Sequence, residues 1–274
     1  MEADFSWMAW DWHPDIFFGL LLLQTAYMLG VGPLRKRYGW ADSVDSRHVF
    51  QFTAGIVLLF LALHSPLHDL ADNYLFTAHM VQHMLMILAA APLLIMGTPG
   101  WLLRPLLSPP LVAKVASVLT RPLVAFLVFN GSLAFWHLEP LFDSALNNHG
   151  VHVVEHLSFI FTGLIVWWPI LSPMHEFPRL NYPGQMLYLF LLSFLPAVLG
   201  AFITFTKGIM YPLYAEAPRV YDISPILDQQ MAGLLMKTLG AVVYIAILIV
   251  IFFKWYSEEE EKDRTESASG ELVS

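Results

Sequence analysis

The chain has 274 residues, 57% of them hydrophobic, only 13% charged, and no cysteine. A soluble domain carries about 25% charged residues, so the composition excludes an ordinary soluble enzyme; the lack of cysteine excludes disulfides and thiolate metal sites. The formal net charge of −8 is concentrated after residue 256, where seven acids face two bases, and no basic patch is left to bind nucleic acid.

Seven apolar runs predict seven transmembrane helices, at residues 15–31, 49–63, 74–96, 122–138, 150–171, 184–205 and 229–253. The fold class is therefore all-α, an integral membrane bundle over residues 1–256. The segment 257–274, rich in Glu and Ser and without aromatic residues, reads as a disordered acidic tail. The N-terminal residues lack the basic start of a cleavable signal peptide, so the first run is expected to stay as a helix. Lys and Arg in short loops set the orientation. With the N-terminus outside, eleven of the fourteen bases, from Arg35 to Arg264, fall inside, and the C-terminus is cytoplasmic.

Taken in chain order, the histidines then separate. Trp7, Trp10 and Trp12 mark the outer interface, and His13 opens the first span. His64 and His68 follow the second span on what reads as a solvated loop. The third span carries His79 and His83 near its outer end. Residues four apart share a helix face, so both imidazoles can hold one ion, as in helical His-x-x-x-His sites. Met80 and Met84 form a second such pair, turned by about 100°, and a thioether favours Cu(I). His137 ends the fourth span. His149, His152 and His156 open the fifth, with Glu155 suited to fix a histidine tautomer from behind. Only His48 and His175 fall on the inner side, so nine of eleven histidines face outward. The loop after residue 205 is long and aromatic and is expected to cap the bundle. Asp228 opens the seventh span, and Lys237 lies within it; an ionisable group at that depth is a functional candidate. We place Asp228, Lys237 and Glu155 around the site, with Lys237 either snorkelling outward or paired to Glu155 or Asp228. The metal ligands are expected to be His79, His83, His152 and His156, with His137 and Met84 as additions.

Several stretches resemble a known family. They are His79-Met80-Val81-Gln82-His83-Met84, Ala91-Pro92-Leu93-Leu94, Trp136-His137-Leu138, His152-x-x-Glu155-His156, Trp167-Trp168-Pro169, Tyr211-Pro212 and Asp228-Gln229-Gln230-x-Ala232-Gly233. Together, and in this order, they resemble the CtaG-type assembly factors of caa-type cytochrome c oxidase. The resemblance implies a multi-pass protein of the bacterial plasma membrane that is not an enzyme. It implies cytochrome c oxidase subunits and the lipid bilayer as partners, and copper as the ion handled. It leaves room for a homo-oligomer. Two other classes share the residue pattern. A membrane di-iron oxygenase uses His-x-x-x-His boxes, and a b-type haem protein uses one histidine from each of two helices.

Overall fold

Some twenty apolar residues in lipid satisfy their own backbone N–H and C=O groups by forming a helix. Among the described residues the ordered elements are accordingly all helices. The computed structural model describes residues 5–271 except 9 and 11, with side chains as far as Thr265. The helices are α1 (Pro14–Tyr38), α2 (Ser46–His64), α3 (Pro66–Asn73), α4 (Phe76–Gly97), α5 (Gly100–Leu107), α6 (Pro110–Leu119), α7 (Pro122–Trp136), α8 (Glu139–Asn147), α9 (His149–Leu171), α10 (Tyr182–Phe205), α11 (Pro212–Glu216) and α12 (Pro225–Glu271).

Six of these, α1, α2, α4, α9, α10 and α12, are each long and apolar enough to cross a membrane. Two bent pairs raise the number to eight if each is one span: α5 with α6, bent by 119°, and α7 with α8, bent by 74°. The seven expected spans lie inside this range. The fourth is the ambiguous one, because α7 has 15 residues and reaches only about 22 Å at the helical rise, short of a hydrocarbon core of about 30 Å. Beyond residue 256, where disorder is expected, α12 continues as helix to Glu271. Glu259–Lys262 and Glu260–Arg264 ion pairs one turn apart lie on that stretch. Residues 272–274 of the expected tail lie outside the described residues.

α4 is the central helix, with 67% of its apolar window buried against 17% for α1. It contacts α2, α9 and α12. Its middle, Leu85–Ala90, widens into a π-helical stretch just after His83. Pro92 has no N–H to donate back along the helix, and the carbonyl of Ile87 instead accepts from the indole Nε1 of Trp167 on α9, at 2.8 Å. That bond ties the two helices below the histidines.

The α10–α12 seam depends on two glycines. A Cβ on Gly233 would lie 2.6 Å from the carbonyl oxygen of Gly200, and a Cβ on Gly200 would lie 2.6 Å from that of Gly233. Small residues let membrane helices approach this closely. Gly233→Val is expected to cost roughly 1–3 kcal/mol by overpacking, seen as a lower midpoint in denaturant unfolding of the protein in detergent.

The segment between α10 and α12 covers one end of the bundle, as its aromatic content predicts. Tyr211 and Tyr214 are buried. The Tyr214 hydroxyl donates to the carbonyl of Ala71 in α3, and the Tyr211 hydroxyl donates to that of His137. Below this cover lie the histidines.

Candidate metal centre

The four-residue spacing puts His79 and His83 on one face of α4, with ring centroids 4.2 Å apart. His152 and His156 pair in the same way on α9, at 4.1 Å. The two faces meet: His83 lies 5.7 Å from His156 and His79 lies 6.4 Å from His152, ring to ring. Glu155 reaches between them. Its Oε1 is 3.9 Å from His79 Nε2, and its Oε2 is 3.7 Å from His152 Nδ1. All five side chains are buried, His152 being the most exposed at 6%.

Among the described residues the candidate ligand atoms converge in three triads: one is His68, Asp72 and His152, and the other two share Glu155. Those of His79, His83 and Glu155 lie within 4.8 Å of one another, and so do those of His152, Glu155 and His156. Glu155 thus stands among the atoms that could hold an ion, closer in than the supporting position expected for it.

Hydrogen bonding leaves these groups without partners. Both ring nitrogens of His79, His83 and His152, Nε2 of His156 and both carboxylate oxygens of Glu155 are buried and unpaired. A single unsatisfied buried polar group costs about 1–3 kcal/mol, and such groups are ordinarily few and dispersed. A cation shared by their lone pairs satisfies one nitrogen of each neutral ring and the carboxylate oxygens, while the other nitrogen of each ring keeps its proton. Neutral imidazole is the commonest metal ligand, and imidazole with carboxylate suits copper, zinc, iron or nickel. The residues present fit a metal ion.

A second layer lies above the two triads that share Glu155. The expected solvated loop after α2 is the short helix α3, and both His64 and His68 are buried. The His68 ring sits 5.5 Å from His152 and 5.7 Å from His156. The Gln82 amide nitrogen donates to the carbonyl of Ala62 and faces His68 Nδ1 at 2.8 Å. A carbonyl only accepts, so the amide nitrogen must face it, and its other hydrogen goes to His68 Nδ1. His68 therefore carries its proton on Nε2, 3.5 Å from Asp72 Oδ2, and is a donor to Asp72 instead of a metal ligand. Burial, and then the neighbouring His152, hold His68 neutral, with its pKa pulled down to about 3. The same Asp72 oxygen is 3.3 Å from His152 Nε2. His13 completes the approach, its ring 4.8 Å from His68. His149 is exposed and pairs with Asp15 at 3.3 Å.

The other expected site residues take different places. His137 is buried at the end of α7, with Nδ1 held by the carbonyl of Leu133 at 2.8 Å; its Nε2 is unpaired, but it belongs to none of the three triads. Met84 lines a separate small apolar cavity with Leu133, Pro196, Met236 and Tyr244, and no histidine lines that cavity. Turning 100° from His83 carries it there. Asp228 does not support the metal ligands. Its two oxygens accept from the backbone N–H groups of Phe76 and Thr77, at 2.8 and 2.9 Å, and so cap α4. Lys237 pairs with neither Glu155 nor Asp228; its ammonium lies 5.8 Å from the ring centroid of Phe205. Of the carboxylates it was expected to meet, Asp228 is held by amides and Glu155 is turned toward His79 and His152.

Sequence reading misses Asp72, Gln82 and the role of His68. One signal was available: Ser65-Pro66 is a helix start, and the Ser65 side chain does accept from the N–H of Leu67. A helix from there brings His68 and Asp72 to one face.

Comparison with known proteins follows the same lines. The family model for cytochrome c oxidase caa3 assembly factors matches residues 25–258. Proteins described as uncharacterised from Mycobacterium bovis and Mycobacterium tuberculosis are each 24% identical over 266 residues, 90% of this chain. One from Mycobacterium leprae is 24% identical over 262 residues, 88% of the chain. The chain spans 40% of the length of each of these relatives. No solved structure matches.

Proposed function

This chain belongs to the cytochrome c oxidase caa3 assembly factors, and on that premise we propose that it carries copper for the oxidase at the histidine–carboxylate cluster between α4 and α9. The observation that carries this reading is the set of buried, unpaired nitrogens and oxygens on His79, His83, His152, Glu155 and His156. An assembly factor without a cargo site has no use for five such residues in an apolar bundle. Copper is the ion we favour: imidazole binds it well, and an oxidase assembled with this factor needs it.

In this reading the histidine-bearing end faces outside, the basic loops face the cytoplasm, and α7 with α8 completes seven spans in the bacterial plasma membrane. Copper arrives from outside, passes the His13–His68 approach and leaves to an oxidase subunit docked at the same end.

The test uses cells lacking the protein. They are expected to make oxidase depleted in copper by tenfold or more, restored by the wild-type chain and not by the double variant His79→Ala/His83→Ala, with membrane levels of the variant checked by immunoblot. Full copper loading of the oxidase by that variant would remove the cluster from the function.

A further inference from the structure

The site holds two ions, not one: we infer that the Glu155 carboxylate bridges a pair of monovalent copper ions, one on the His79–His83 side and one on the His152–His156 side. This rests on the reading of the cluster as a copper site and adds its nuclearity and oxidation state.

Three observations carry it. First, of the three triads of candidate ligand atoms among the described residues, one needs His68, whose two ring nitrogens already face Gln82 and Asp72, and the other two have Glu155 in common. Second, its two oxygens are divided between them. Oε1 points to His79 on α4 and Oε2 to His152 on α9, at 3.9 and 3.7 Å, and both are otherwise unpaired. A carboxylate with one oxygen turned to each imidazole pair has the form of a bridge. Third, each triad supplies two nitrogens and one oxygen. Three protein ligands are what an exchangeable site needs, since a fourth position then stays open.

Charge selects the oxidation state. The carboxyl groups in contact with these imidazoles are Glu155 and Asp72. Together they offer at most two negative charges. Two monovalent ions are balanced by them; two divalent ions leave a surplus of two positive charges in a low-dielectric interior, which is costly. The four imidazoles suit copper, and the carboxylate contributes the balancing charge.

The experiment is a titration of the full chain, purified in lipid nanodiscs, with Cu(I) under reductant against a Cu(I)-selective chelator, followed by X-ray absorption on the loaded protein. The expected result is saturation at two copper ions per chain, with copper–copper scattering in the absorption spectrum. His83→Ala is expected to saturate at one ion per chain and to lose that scattering. Saturation of the wild-type chain at one ion overturns the bridge while leaving the copper site intact. Absence of any retained copper overturns both. The wild-type measurement decides the matter even if a variant fails to fold.

Discussion

Glu155→Gln is expected to move stability and metal affinity in opposite directions. Copper affinity should fall by about a hundredfold or more, because a charged ligand contact of roughly 3 kcal/mol is lost. The metal-free protein should instead become more stable, by about 1–3 kcal/mol. In the free protein a carboxylate without a hydrogen bond sits in a nearly sealed interior, and neutralising such a group relieves its desolvation. Gln has almost the same shape, so packing contributes little to either change. Chelator competition reads the first effect, and thermal unfolding with and without copper reads the second. A purely structural Glu155 would give the reverse: a less stable variant with no change in affinity.

Asp228→Ala is the larger test of the fold. Two backbone amides at the start of α4 would lose their shared acceptor, which is wholly buried. Charge-assisted hydrogen bonds contribute about 1.5–3 kcal/mol each, and a lost helix cap costs about 0.5–2 kcal/mol. The variant is therefore expected to lose roughly 3–4 kcal/mol of stability, and Asp228→Asn about half of that. Denaturant unfolding in detergent checks both. Because His79 lies three residues after Phe76, fraying of that first turn should also weaken copper binding, even though Asp228 touches no ligand. Equal stability of Asp228→Ala and the wild-type chain would dismiss the cap.

Periodicity made part of this site legible. His79 with His83 and His152 with His156 are each four apart in strongly apolar runs, so the two faces follow from helical geometry alone. That they face each other at one end follows from topology and matched depth. What lay beyond reach was set by contacts distant in sequence or by elements too short to show a period. α3 has eight residues, barely two turns, and its burial of His68 depends on packing against Gln82 of α4 and His152 and His156 of α9. The cap from Asp228 joins positions about 150 residues apart; the residue was expected beside the metal ligands, and the structure sets it at the start of α4 instead. Met84 was expected among the ligands by its chemistry, but a rotation of one residue turned it to a different cavity. The span count met a geometrical limit, since the bent α7–α8 pair has no unique reading as a span.

The widened stretch Leu85–Ala90 has one more consequence. It lies between the turn that carries His83 and the turn that ends at Gly97, where the backbone is in close contact with Phe52 of α2. In an uninterrupted α-helix, one surplus residue between these points would rotate one end against the other by about 100°. A π-helical turn absorbs such a residue. Chain length and facing direction are thereby uncoupled along α4, so the aim of the imidazoles into the cluster and the seating of the opposite end against α2 are set independently within a single helix.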